Sequence, residues 1–316
     1  MKYFFLLFNL NLLCFQGFNY SSTPRKVIGY SKSHVIIQYN YKIDIPKCQF
    51  KEQVISYSGF SLMYSQVHKQ PRWVAYELNS SLQLGKYGRL NKFVFDNNIK
   101  SGTATDEDFR YSGYDRGHLA PAGDMSYSSK AMAESFLYSN ISPQLPELNR
   151  GIWKNLELLV RNWGISSKLY IVTGPVLNGD LGYLGKNRVS IPNLFYKALL
   201  GITKTDTIGI AFIIPNAKSY SELSSYVYSI DSLENLVKID FFHQLPDQLE
   251  SKVERESCFK CWNWSSSSTS NNNIKPINLV TSVQCNGITL SGLRCKRKTK
   301  NSTGLCFQHI NQKQRY

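Results

Sequence analysis

The sequence predicts an α+β fold: a mainly antiparallel central sheet with flanking helices, followed by a small C-terminal module. Three observations predict it. Short runs of alternating apolar and polar residues recur along the chain. Helical stretches interrupt them without a regular strand–helix–strand period. A Ser/Asn-rich run at residues 264–273 then separates a basic tail that carries three of the seven cysteines.

The strand signals lie at residues 35–39, 54–57, 60–64, 73–78, 169–173, 195–200 and 208–214. Two of them end in turn chemistry, at Gly174-Pro175 and Pro215-Asn216. Helical periodicity is clearest over residues 147–163, where Ile152, Leu156, Leu159 and Trp163 form one stripe. Residues 129–138 and 219–228 are weaker helix candidates. The resulting plan is a leader over 1–20, a body over 21–260, a linker over 261–274 and a tail over 275–316.

Hydrophobic residues make up 42% of the chain and charged residues 19%, which fits a folded globular protein and excludes a disordered one. The net charge of +15 predicts attraction to polyanions, either nucleic acid or an anionic membrane surface. Residues 275–316 hold eight Lys or Arg and no Asp or Glu, so the tail supplies more than half of that excess.

Met1-Lys2 precedes a short apolar run from Tyr3 to Phe15, the pattern of a secretory signal peptide cleaved near residues 17–22. The run is too short and too broken by Asn for a membrane span, so no stable span is expected in the mature chain. Export to the periplasm or medium follows from this reading. A lipid anchor at Cys14 is disfavoured by the large Leu13, and a buried N-terminal strand or helix is the third option.

The body is nearly free of cysteine and is not a disulfide scaffold. Its most informative segment is Gly113-Tyr114-Asp115-Arg116-Gly117-His118-Leu119-Ala120-Pro121-Ala122. A His beside a Gly can present its ring in an open cleft, although a lone His is more often structural. The second segment contains Asn140, then Leu148-Asn149-Arg150-Gly151 and Glu157. Asn149 and Glu157 are eight residues apart, within about 80° on a helical wheel, and Arg161 follows one turn later. An amide oxygen and a carboxylate are hard ligands that suit Mg²⁺ better than zinc. An ordinary amphipathic helix with a polar outer face would show the same pattern. His34, His68 and His243 have no motif around them and read as structural.

Asp-Arg-Gly-His followed about thirty residues later by a helical Asn resembles the DNA/RNA non-specific endonucleases, which share a ββα-metal (His-Me finger) site. The likeness covers roughly residues 50–250. It includes Gln70 to Leu78, Phe109 to Gly113, Thr173-Gly174-Pro175, Ile191-Pro192, Phe195-Tyr196-Lys197 and Ile214-Pro215-Asn216. The resemblance implies a metal-dependent endonuclease that cuts DNA and RNA without strong sequence preference and leaves 5′-phosphates. It implies that His118 is the general base and that Asn149 is the direct ligand of a hydrated Mg²⁺ (or Mn²⁺). It further implies that Glu157 holds metal-bound water, that Arg116 and Arg161 lie near the phosphate, and that Asn140 supports the site. Arg150 departs from the family pattern, in which this side chain is often uncharged; it should leave Asn149 intact and add a phosphate contact.

In the tail, Cys285, Cys295, Cys306 and His309 have the composition of a tetrahedral structural Zn²⁺ site, and a module of about 40 residues needs such a staple. A disulfide plus a free thiol is the competing arrangement. Cys258-Phe259-Lys260-Cys261 allows a local disulfide, two metal ligands or a bridge to Cys48. Expected partners are DNA and RNA as substrates, a second copy of the chain as a homodimer, and a cognate inhibitor protein. The alternative function is a catalytically inactive nucleic-acid-binding protein acting through the basic zinc tail.

Overall fold

The computed structural model describes residues 27–31, 34–38, 45–178, 182–264, 283–289, 294–299, 304–306 and 309. The expected leader and most of the expected linker lie outside them. The chain divides into two units, residues 1–42 and 43–316. In the first, β1 (Val27–Ser31) and β2 (His34–Gln38) form an antiparallel hairpin, with Val27 opposite Gln38. This agrees with the strand expected at 35–39.

The second unit is built on β3 (Gln53–Ser56), β4 (Ser61–Ser65), β5 (Gln70–Leu78), β8 (Lys168–Pro175), β9 (Leu194–Ile202), β10 (Thr207–Pro215) and β11 (Val227–Tyr228). Among the described residues these seven strands form one antiparallel sheet in the order β11-β10-β9-β8-β5-β4-β3. Between β5 and β8 the chain leaves the sheet to make β6 (Asp115–His118), β7 (Ile141–Gln144), α1 (Ser129–Ser135) and α2 (Trp153–Ser166). After β11 come α3 (Ile230–Val237) and α4 (Asp247–Arg255).

The sheet is covered on both faces. Side chains two apart on a strand share a face, and both faces of β9 are apolar. Phe195 and Leu199 face α2, whose buried stripe is Trp153, Leu156, Val160 and Trp163. Trp153 meets Phe195 edge-on at 5.7 Å. Tyr196 points the other way, onto Phe241 at 5.6 Å. On that side a Cβ at Gly209 would strike the backbone of Val253 in α4, so only glycine allows this close approach. Each large side chain buried in this way contributes about 1.5–3 kcal/mol.

Two helix expectations need correction. The periodic stretch over 147–163 is not one α-helix: residues 148–152 form a π turn, and Gly151 at φ −101, ψ −115 breaks the path before α2 begins. Asn149 and Glu157 therefore do not share one continuous helical face. Residues 219–228 are not an α-helix. Ser219 accepts from the backbone N–H of Ser221 at 3.1 Å and bonds Tyr226 Oη at 2.9 Å. Serine–backbone bonds of this kind compete with helical ones, and the segment becomes a 3₁₀ turn (Leu223–Tyr226) leading into β11. The helix starts afterwards, where Ser229 caps α3 by accepting from Ser232 N–H.

Candidate active site

The β6–β7 hairpin positions the His. Asp115 pairs with Gln144 and His118 with Ile141 in an antiparallel ladder. Alternation puts Arg116 and His118 on one face and Asp115 and Gly117 on the other. Both members of the first pair rest on Phe93, Arg116 at 5.4 Å and the imidazole at 5.3 Å. On the opposite face a Cβ at Gly117 would collide with the Gln144 side chain, which is why the motif needs glycine there.

Phe136 closes against the His118 ring edge-on at 4.8 Å. The residue is only 8% exposed, and its Nε2 is buried without a protein partner. Burial, and then the charge of Arg89, push the His118 imidazole down to about 3. It is uncharged at neutral pH.

Asn140 fixes the chain just after the His. Its Oδ1 accepts from Ala120 N–H at 2.9 Å, and its Nδ2 donates to the carbonyls of Ala120 and Ser135, each at 2.9 Å. The Leu119 N–H donates to the Asn140 carbonyl at 3.1 Å. The side chain is fully buried, so these bonds satisfy groups that water cannot reach.

Asn149, in the π turn, donates from Nδ2 to Asp115 Oδ2 at 2.9 Å. A carboxylate can only accept, so Asp115 turns the amide oxygen of Asn149 away from itself. Arg150 grips the same carboxylate with Nε at 2.8 Å and Nη2 at 2.6 Å. Burial raises Asp115, but the bonds from Arg150 and Asn149 outweigh it and hold the group below the usual carboxylate range. Arg150 is thus placed on Asp115, a partner the sequence did not suggest.

Glu157 sits half-buried in α2. Its burial pushes the carboxyl up, and it lies in the fields of Lys197, Asp124, Arg161 and Arg89. Arg161 donates through Nη1 to Asp124 Oδ1 at 2.6 Å, and Tyr76 Oη donates to Asp124 Oδ2 at 3.1 Å. Arg116 donates through Nη2 to Asp106 Oδ1 at 2.7 Å and through Nε to Tyr138 Oη at 2.8 Å. His118 and Glu157 share the field of Arg89, whereas the bond from Asn149 leads to Asp115.

Sequence reasoning assigned no role to Lys197, Asp124, Asp115 or Arg89. Lys197 is fully buried, and its Nζ has no hydrogen-bond partner and lies 5.1 Å from the Trp153 ring. Desolvation lowers its pKa and Glu157 opposes this. A lysine inside an apolar strand was the available signal. Asp115 stood within the motif itself.

The donor set fits a hydrated hard cation. Asn149 offers an oriented amide oxygen, and Glu157 offers a carboxylate for which no ion pair is recorded among the described residues.

The tail holds a second group of candidate metal ligands. One ligand atom from each of Cys285, Cys295, Cys306 and His309 lies within 4.8 Å of the others. Nδ1 of His309 is 3.5 Å from Cys285 Sγ and 3.4 Å from Cys306 Sγ, and Cys295 Sγ is 3.9 Å from Cys306 Sγ. A tetrahedral zinc site has edges of about 3.5–3.8 Å, so these atoms fit one. Burial raises the Cys285 thiol, but N–H groups of Cys306 and Gly287 outweigh it and pull it down toward thiolate. A Cβ at Gly287 would overlap the His309 ring. No disulfide joins the three tail cysteines, whereas Cys258 and Cys261 form one with each other.

Residues 42–248 match the sequence profile of the family described as DNA/RNA non-specific endonuclease. The chain belongs to that family. Among its relatives it is 35% identical over 221 residues to "Nuclease EXOG, mitochondrial" of Danio rerio, covering 64% of each chain. It is 34% identical to "Nuclease" of Nostoc sp., over 62% of this chain and 75% of that one. Endonuclease G of Homo sapiens, also named as mitochondrial, is 32% identical over 58% of this chain and 67% of its own. The chain thus spans slightly less than two thirds of the fish relative. Its fold matches a solved EndoG/EndoGI complex with TM-score 0.59 and 27% identity, over 63% of this chain and 89% of that one.

These relatives overturn the expectation of export, including the lipid anchor at Cys14: they include mitochondrial nucleases. Physically, a short apolar run with one lysine does not encode a destination, and that segment lies outside the described residues. No helix among the described residues is long and apolar enough to cross a membrane.

Proposed function

We propose that this chain is a metal-dependent endonuclease that hydrolyses DNA and RNA without strong sequence preference. The observation that carries this reading is His118: a neutral imidazole with its buried Nε2 unpartnered, in the chain of a family of nucleases. Nε2 accepts a proton from water, and the resulting hydroxide attacks phosphorus. The bond to the 3′ oxygen breaks and that oxygen takes a proton from solvent, leaving a 5′-phosphate. The negative charge of bound phosphate raises the pKa of His118, which makes the imidazole a better acceptor when substrate is present.

Asn149 would hold Mg²⁺ or Mn²⁺ directly and Glu157 would hold it through water; when bound, the ion supplies Lewis-acid stabilisation of charge on the phosphate. Arg116 and Arg161 each commit only one or two of five N–H donors to Asp106, Tyr138 and Asp124, which leaves donors for phosphate. Asn140 positions the segment that follows His118. Reading only the sugar–phosphate backbone explains tolerance of sequence.

The reading divides the chain into a leader over 1–20, a nuclease body over 21–260, a linker over 261–274 and a zinc-bound basic tail over 275–316 that captures polyanions. The solved relative is an EndoG/EndoGI complex that concerns inhibition of EndoG; that supports a protein inhibitor as a partner, and a homodimer completes the proposal. Digestion of plasmid DNA and RNA tests it: cleavage with Mg²⁺ that stops in EDTA is expected, and full activity in EDTA would contradict it.

A further inference from the structure

On the face of the sheet away from α2, the α3–α4 pair and the segment after α3 gather acidic side chains. Asp231 and Glu234 project from α3 and Glu254 from α4, and one carboxylate oxygen from each lies within 4.8 Å of the other two. Glu254 is 5% exposed, and its Oε1 is buried with no hydrogen-bond partner. Glu234 accepts from the Phe241 N–H at 2.7 Å through one oxygen. The neighbouring Asp240 has a buried, unpartnered Oδ1 of its own.

No ion pair among the described residues compensates these carboxylates. The nearby Lys252 pairs with Asp206, and Arg255 donates to the Ser251 hydroxyl. A buried carboxylate without a donor or a counter-charge is costly, and clustering others beside it raises the cost. The negative charges of Glu234, Glu250, Asp240 and Asp231 act on the same Glu254 carboxyl. An arrangement this unfavourable for the protein alone is what a bound cation relieves.

We propose that Asp231, Glu234 and Glu254 form a binding site for a divalent cation, Ca²⁺, that ties α3 to α4. All three donors are hard oxygens. Three protein carboxylates suit Ca²⁺, which takes six to eight oxygen ligands in flexible geometry, better than Mg²⁺, which keeps most of its water and uses one or two carboxylates. A surface cleft lined by Lys47, Cys48, Glu234, Lys238 and Asp240 gives ions and water a route to Glu234. The role is structural, because the helices that the ion joins cover the face of the sheet opposite α2 and Lys197.

The test is thermal unfolding of the full chain, stripped with EDTA and then titrated with CaCl₂. The wild type should gain about 3 °C or more at saturation. The Asp231→Asn/Glu254→Gln double variant should show none of that gain while remaining folded by circular dichroism. No gain in the wild type, or an equal gain in the double variant, would overturn the site. If the double variant does not fold, Asp231→Asn alone is read: its Ca²⁺ midpoint should rise at least ten-fold, and an unchanged midpoint would refute the proposal. A parallel MgCl₂ titration giving the same variant-sensitive gain at equal concentration would overturn the assignment to Ca²⁺.

Discussion

Asn149 donates from Nδ2 to Oδ2 of Asp115 at 2.9 Å, and Asp115 stands three residues before His118 on the same strand. One carboxylate thus links the candidate metal ligand to the strand of the candidate base. Asp115→Ala should leave the fold intact and raise the Mg²⁺ concentration needed for half-maximal cleavage by about 10- to 100-fold, the usual effect of removing a group that orients a ligand. Activity measured against Mg²⁺ concentration checks this; an unchanged midpoint would mean that Asn149 orients itself.

Asn140 makes its three side-chain bonds to buried backbone groups. Asn140→Ala leaves those groups unpaired, and each costs about 1–3 kcal/mol. Urea unfolding should show a loss of roughly 3 kcal/mol or more, and cleavage should fall because the segment after His118 is released. A loss of activity with an unchanged urea midpoint would assign Asn140 a different role.

His118 also gives a pH dependence to stability. Its pKa is near 6.5 unfolded and about 3 in the fold. Between these values the unfolded chain binds the extra proton, so stability is full above about 6.5 and is lost as pH falls toward 3. At pH 4 the loss from this group is on the order of 3 kcal/mol. His118→Gln does not titrate, so its urea midpoint should decline less than that of the wild type between pH 7 and pH 4. Parallel declines would show that the imidazole is not buried.

The tail should carry one zinc ion per chain, measured by elemental mass spectrometry on the full-length protein. Cys295→Ser or His309→Ala should reduce that content and weaken binding to long DNA at moderate salt, while cleavage of short oligonucleotides by the body persists. Zinc-free wild type with a Cys295–Cys306 disulfide would support the competing arrangement.

Much of this was legible in the sequence, for identifiable reasons. The strands at 54–57, 73–78, 195–200 and 208–214 lie within a few residues of their observed limits, because the first alternates in burial and the other three are short apolar runs buried on both faces. His118, Asn149 and Asn140 stood in recognisable segments. The π turn at Gly151 was not legible, since apolar spacing continues across it. Helix α3 was missed in favour of its serine-rich approach, where side-chain bonds to the backbone prevail over periodicity. The Asp115–Arg150 ion pair and the electrostatic influence of Glu157 on Lys197 depend on tertiary register, which spacing along the chain does not carry.

The most direct test of the central claim is the rate of plasmid and RNA cleavage in Mg²⁺ by the wild type and by His118→Ala. The account expects the wild type to cut both substrates, and the folded variant to be slower by at least about 100-fold, in line with loss of a general base. Near-wild-type cleavage by His118→Ala would contradict it.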